Sequence, residues 1–411
     1  STGRIAADLS RGLDREGPQS IVAYGRKEPM GEVEHIRIGT DLDVKAHGAY
    51  ARLLDRTGFG SRGATKDFLL WAEAYDPDLI HLHNLHGYYL HVGLLFDYLR
   101  KTGKPVVWTL HDCWPFTGHC AYFDYVGCGR WREGCFSCPQ KGEYPASLLL
   151  DNSKSNYRKK RALFTGLPRM TVVTPSRFLG SLARESFLGE YPLRVIPNGI
   201  DLETFRPREG TAREKYGLGD GPIVLGVANV WEDRKGLRDF CQLAELLPEE
   251  YTVALVGLSP QQMEGLPAKI KGIPRTDSTE ELAQLYSLAQ VFVNPTWEDN
   301  FPTTNLEALA CGIPTVVRDI PVYNGWLREG QNVYKASGTA EFQQKAEGLL
   351  PGTLPDLTAA GRRVAEERSL SVMGERLREV YRRMDILPAA QPAAKTNLPQ
   401  TERPVQHSFT P

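Results

Sequence analysis

The sequence predicts an α/β protein with two doubly wound parallel sheets, and three observations carry that prediction. Short, almost uninterrupted apolar runs alternate with helical stretches, the pattern of strands buried on both faces. The alternation occurs twice, on either side of the turn-rich segment Pro197-Asn198-Gly199. The chain has 411 residues, enough for two domains of ordinary size.

Taken in order, Ser1-Thr2 caps a first helix in which Ile5, Leu9 and Leu13 recur at helical spacing. A β/α chain ordinarily opens with a strand, so a leading strand and its loop are expected ahead of Ser1. The first strand series is expected at 21–23, 35–38, 79–82, 106–110, 171–174 and 193–196, with helices such as 65–74 and 88–101 between them. The second is expected at 223–228, 252–256, 291–294 and 314–317, with helices over 236–246, 278–289 and 304–311. Val372, Met373, Leu377, Val380, Tyr381 and Met384 form one more amphipathic helix. These elements divide the chain into a first domain over 1–196, a second over 197–365 and a helix over 366–386 that packs back on the first domain. From Leu387 onward the chain is rich in Pro, Ala and Gln and buries too little apolar surface to order itself, so 387–411 is predicted to be a disordered tail.

Bulk properties exclude several functions. Apolar residues make up 41% and charged residues 24%, as in ordinary globular proteins. The net charge of −1 gives no field that would recruit nucleic acid. No apolar run reaches the roughly 18 residues of a membrane span, and no signal peptide is visible. A cytoplasmic protein is expected.

The segment from Val291 to Pro314 carries the most chemistry. A buried strand leads through Trp297, Glu298 and Asp299 into Pro302-Thr303-Thr304-Asn305, where a helix opens. Free backbone N–H groups at a helix start bind anions, and a diphosphate suits them. Glu307 is expected on the first turn, where a carboxylate accepts hydrogen bonds from ribose hydroxyls. Glu298 and Asp299 are expected to be free in the loop to meet sugar hydroxyls. This run resembles the donor-site signature of glycosyltransferase family 4, whose members have the GT-B fold of two Rossmann-like domains facing across a cleft. The signature is two glutamates with seven residues between them. Glu307 matches the second, and Asp299 stands in register with the first, one residue past Glu298. The resemblance implies a retaining transferase in which the first acid meets the donor sugar and the second the ribose. It also implies that 1–196 is the acceptor side and that 197–365 holds the nucleotide sugar.

Other segments extend the resemblance over nearly the whole chain before the tail. Val227–Gly236 is similar to the family loop whose Arg and Lys grip the diphosphate: Lys235 matches, Val230 stands at the Arg position, and Arg234 is the substitute. His111, followed by Asp112, matches the family histidine near the donor sugar. Asn84 and His86 follow another strand on the same edge and, with Asp112, are expected to line the cleft or meet the acceptor. Arg275 lies in the loop that reads the base in the family. The implied catalytic group is His111, Asp299 and Glu307. The implied donor contacts are Arg234, Lys235, Arg275, Glu298, Pro302, Thr303, Thr304, Asn305 and Glu307. No catalytic metal is expected. The implied partners are a UDP- or GDP-sugar donor and a glycan or polyprenyl-diphosphate-linked acceptor. The rivals are a nucleotide-sugar epimerase or phosphorylase-like enzyme on the same fold, and a non-catalytic sugar-nucleotide-binding scaffold.

Two features lie outside that signature. Cys120, Cys128, Cys135 and Cys138 crowd a Gly- and aromatic-rich insertion over 113–140, with the last two as Cys-x-x-Cys. Four thiolates in a loop that needs ordering suit a structural zinc ion; reduced cysteines packed as small hydrophobes or a labile disulfide are the alternatives. The insertion resembles that of the exopolysaccharide, colanic-acid-type subgroup of the family. The basic run 154–161 reads as a solvated helix face, or as a surface that meets a diphosphate-linked lipid acceptor at a membrane.

Overall fold

The computed structural model describes residues 2–14, 18–29, 31–349 and 352–387. The tail expected beyond 387 lies outside the described residues. The described residues include twelve strands: β1 Val22–Tyr24, β2 His35–Arg37, β3 Ile80–Leu82, β4 Val106–Thr109, β5 Met170–Thr174, β6 Leu193–Val195, β7 Ile223–Val227, β8 Thr252–Val256, β9 Ile270–Ile273, β10 Val291–Asn294, β11 Thr315–Arg318 and β12 Tyr334–Ala336.

The second domain is one parallel sheet in the order β12-β11-β10-β7-β8-β9. Alternation along each strand sends neighbours to opposite faces. Leu225, Phe292 and Val317 enter one core layer, with Leu306 and Tyr286 from the covering helices. Val224, Val291, Val293 and Val316 enter the other, with Phe240 and Leu243. Both faces are therefore dry, which is why the strands read as continuous apolar runs. Two strands beyond the four expected, β9 and β12, complete the edges. Each is short and interrupted by Lys271-Gly272 or Lys335, because an edge strand needs apolar contact on less of its surface.

The first domain departs from the expected single series. Its strands form a four-stranded parallel sheet, β3-β4-β5-β6, while β1 and β2 pair only with each other among the described residues. Hydrophobic runs announce strands but not which partner completes their ladder. One face of the larger sheet packs Trp108, Val172 and Leu193 against Phe96, Trp114 and Phe164. The other face packs Val107, Val173 and Ile196 against Ile5 and Leu9 of the helix Thr2–Asp14, and against Met373, Leu377, Val380 and Tyr381 of the helix Leu370–Arg383. The last helix thus belongs to the first domain's core. At about 1.5–3 kcal/mol for each fully buried large side chain, those four residues alone are worth several kcal/mol. The chain crosses between domains twice, side by side: Ile200 N–H donates to the Arg368 carbonyl at 2.9 Å, and Leu370 N–H donates to the Ile200 carbonyl at 3.0 Å.

Candidate functional site

The second sheet reverses its strand order between β7 and β10, and the crevice beyond the carboxyl ends of those strands is the binding position of an open α/β sheet. Two loops meet there. After β7 the chain runs to a short 3-10 turn, Asp233–Lys235, and then Gly236 at φ 78°. A Cβ at Gly236 would lie 2.8 Å from the Pro295 ring, so only glycine lets the loops approach. Trp297 N–H donates to the Arg234 carbonyl at 2.8 Å and ties the loops together. Lys235 Nζ bonds the Asp299 carboxylate, whose other oxygen accepts from Phe301 N–H at 3.0 Å. Burial works to raise the Asp299 pKa, but the opposing charges of Lys235 and Arg234 outweigh it and leave it below the ordinary carboxylate value.

Pro302 caps the helix Thr303–Ala310, and no side chain caps that start. Thr303 and Thr304 sit half-buried at the opening. Asn305 turns away: it is fully buried, and its Oδ1 accepts from Asn294 Nδ2 of β10 at 2.8 Å. That bond fastens the helix to the strand. Glu307 falls on the second turn, not the first. It is 4% exposed, with one carboxylate oxygen 3.1 Å from the Arg4 guanidinium and the other accepting from Tyr286 OH at 2.9 Å.

The first domain meets this crevice with the loop after β4. His111 Nε2 and His83 Nδ1 are 3.0 Å apart. His83 stacks on His81, which bonds Tyr381 OH at 2.7 Å and Thr109 Oγ1 at 2.8 Å. Burial lowers the pKa of His111 to about 4 and of His81 to about 3, and pushes His83 well down, so the row is neutral near pH 7. Asp112 and His86 do not line the cleft as expected. Both are buried beside each other, 3.1 Å apart, with Asp112 capping Trp114 N–H at 2.9 Å and His86 stacked on the Trp114 ring. They shape the loop that presents His111. Asn84 is half-buried on the neighbouring loop.

The structure also corrects Glu298 and gives Arg234 its contacts. Glu298 is not free in its loop: its carboxylate accepts three backbone N–H groups, from Phe123 and Asp124 at 2.7 Å and from Tyr125 at 3.1 Å. Arg234 stacks over the Tyr122 ring, 3.8 Å from its centre, and bonds Glu232 and the Glu298 carbonyl. Cys113 Sγ lies 3.9 Å from Asn300 Oδ1. These contacts join the cysteine-rich insertion of the first domain to the β10 loop of the second. Arg275 is exposed beyond β9, two strands from β7, and forms no ion pair with the Lys235–Asp299 group among the described residues.

This architecture of paired parallel sheets is shared with known proteins. Residues 2–204 match the family model described as Glycosyltransferase Family 4, and residues 221–351 match that described as Glycosyl transferases group 1. The chain belongs to the family 4 glycosyltransferases. Among relatives of this enzyme is WcaC of Escherichia coli, a glycosyl transferase named for colanic acid biosynthesis, 26% identical over 398 residues that cover 92% of this chain and 94% of that one. Sucrose-phosphate synthase from Thermosynechococcus elongatus shares the fold at a TM-score of 0.68 and 18% identity, covering 92% of each chain. Anabaena HepE, in complex with UDP-glucose, shares it at a TM-score of 0.64 and 14% identity, covering 92% of this chain and 95% of that one. The glycosyltransferase has the GT-B fold.

Sequence reading missed Arg4, Tyr286 and Tyr122. Arg4 reaches Glu307 across 303 residues of chain, and Tyr286 reads as one more apolar position of its helix. No local pattern marks either. The basic run is also revised: the helix Ser153–Phe164 exposes Lys154, Arg158, Lys159 and Arg161 but buries Lys160 against Trp114. No described helix is long and apolar enough to cross a membrane.

Proposed function

We propose that this glycosyltransferase moves a sugar from a nucleoside diphosphate donor to a glycan or lipid-linked acceptor in polysaccharide synthesis, with retention of anomeric configuration. The observation that carries the reading is the meeting of Lys235, Asp299 and an uncapped helix start at the switch point. Lys235 and the N–H groups at Thr303 and Thr304 take the diphosphate, and they stabilise it most as it leaves with growing charge. Glu307, held by Arg4 and Tyr286, accepts from the ribose hydroxyls. Asp299 and neutral His111 meet the donor sugar. The acceptor hydroxyl oxygen bonds to the anomeric carbon on the face that the diphosphate leaves, the carbon–oxygen bond to the diphosphate breaks, and the leaving oxygen takes the hydroxyl proton. No carboxylate nucleophile is required. UDP- and GDP-sugars are the donors of the right chemistry, and the UDP-glucose bound to HepE supports the first.

The acceptor approaches from the first domain. An open depression of about 350 Å³ lined by Asp151, Asn152, Lys154, Ser155, Arg158 and Lys159 suits a polyprenyl diphosphate at the cytoplasmic face of a bacterial membrane. The experiment is a thermal-shift panel of UDP- and GDP-sugars, followed by transfer of labelled sugar to lipid-linked and free glycan acceptors and determination of the product anomer by NMR. Stabilisation by one donor class with a retained anomer is expected. The absence of a shift with every donor overturns the reading. Donor binding without transfer favours a scaffold, and release of an epimerised donor without acceptor favours an epimerase.

A further inference from the structure

The cysteine-rich insertion is not used by the transfer chemistry, yet it is ordered and spans the cleft. All seven cysteines are free thiols. Cys120, Cys128, Cys135 and Cys138, distant by up to 18 positions, line a single cavity of about 10 Å³ with Phe123, Trp131 and Phe136. That is room for one small ion or water. We propose that these four cysteines bind one zinc ion as a structural tetrathiolate site.

Three further observations support it. The Cys-x-x-Cys turn is held in an unusual shape: Cys135 and Ser137 both adopt left-handed backbone, at φ 43° and 46°. Asp151 accepts from Cys138 N–H at 2.6 Å, and Arg130 bonds the Phe136 carbonyl at 3.0 Å. Strain of this kind persists where the surroundings impose it. Next, Gly118 N–H donates to Cys135 Sγ at 3.1 Å, the outer-layer bond that tunes a metal thiolate. A Cβ at Gly118 would lie 2.7 Å from Cys135 Cβ and 2.2 Å from the Ser153 carbonyl oxygen. Last, one buried lysine, Lys160, feels the charge of Cys135 and Cys120. Lys160 donates to the Trp114 carbonyl at 2.6 Å and lies over the Trp114 ring, and it forms no ion pair with a carboxylate among the described residues. A zinc ion with four thiolates carries two negative charges and supplies the counter-charge. His119 bonds Asp55 through Nδ1 at 2.5 Å, while its buried Nε2 has no partner.

As they stand, no three described His, Cys, Asp or Glu side chains form a finished ligand group. The site closes when the cysteine side chains turn inward on the cavity they already line, to zinc–sulfur distances of about 2.3 Å. The metal then braces the loop whose amides at Phe123, Asp124 and Tyr125 receive Glu298. Zinc therefore stiffens the contact between the two domains.

The test uses the full chain without an affinity tag, purified without chelator. Elemental analysis is expected to find one zinc per chain. Exchange to cobalt(II) is expected to give the intense visible bands and sulfur-to-metal charge transfer of tetrahedral thiolate coordination. Cys135→Ser and Cys138→Ser should each cut occupancy below about one-fifth, while Cys241→Ser keeps it. If the serine variants do not fold, the cobalt spectrum of the unaltered chain decides. Zinc below about one-fifth of an equivalent in that chain, a cobalt spectrum without sulfur bands, iron in place of zinc, or a disulfide among the four by peptide mass would each overturn the proposal. Metal content is read without sugar transfer, so this result and the result on function are independent.

Discussion

The proposed function makes donor binding turn on Lys235 and Glu307. Lys235→Ala and Glu307→Ala are each expected to weaken binding of the nucleotide sugar by about 1–3 kcal/mol, measured by titration calorimetry. Unchanged affinity in both refutes the assignment. Arg4→Ala should act in the same direction through Glu307, because one carboxylate oxygen loses its 3.1 Å partner while the other keeps Tyr286. The two assignments are distinguished by a double variant: Arg4→Ala should add little once Glu307 is already Ala. Glu307, Lys235 and His111 stand out in the sequence as candidates, since each follows a strand. Their partners do not, because Arg4 and Tyr286 reach Glu307 only through the packing of distant helices.

At the scale of elements, the contact between the β10 loop and the insertion is the feature with most at stake. Glu298 satisfies three N–H groups at once. Glu298→Ala leaves them without an acceptor, at about 1–3 kcal/mol for each one that water does not reach. Hydrogen exchange is the direct measurement: the amides of Phe123, Asp124 and Tyr125 should exchange faster in Glu298→Ala, while those of β4 and β5 stay protected. Equal rates in variant and parent would show that the contact does not hold the loop. Gly118→Ala tests the same insertion from within. Its Cβ meets a backbone carbonyl oxygen at 2.2 Å, so a loss of about 1–3 kcal/mol is expected in denaturant unfolding. The element boundaries show where sequence reading ends. The helices over 65–74 and 88–101 were expected where Arg62–Tyr75 and Val92–Thr102 stand, because caps and loops at helix ends follow tertiary contacts. The edge strands β9 and β12 were missed because their apolar runs are short.

For the whole molecule, neutral buried histidines set a pH dependence. Burial lowers the pKa of His47 to about 4, of His81 to about 3 and of His111 to about 4. His47 explains the penalty: its Nε2 accepts from Gly58 N–H at 3.2 Å and Gly60 N–H at 3.1 Å, and protonation would set a donor against two donors. Below an unfolded value of about 6.5 the unfolded chain binds protons that the folded chain refuses, so stability falls as pH drops toward about 4. Each such histidine contributes up to about 1.4 kcal/mol per pH unit within that window. Denaturant unfolding at stepped pH should show this slope, and His47→Gln should reduce it. A flat profile between pH 6.5 and 4 would contradict the buried neutral row.

The sequence by itself determined the kind of strands, the two series of them and the position of the crevice. These depend on periodicity within ten or so residues, and local chemistry encodes them. It also marked the cysteines and the residues at strand ends. Tertiary packing decided the rest. Glu298 and Asp299 are adjacent acids with equal claims in the sequence, yet one faces the insertion and the other faces Lys235. Lys160 sits in a basic run with four exposed neighbours, yet it alone turns inward onto Trp114. The helix Leu370–Arg383 follows the second domain but completes the core of the first. In each case the outcome depends on which distant surface is within reach, and a pattern of neighbours along the chain does not carry that information.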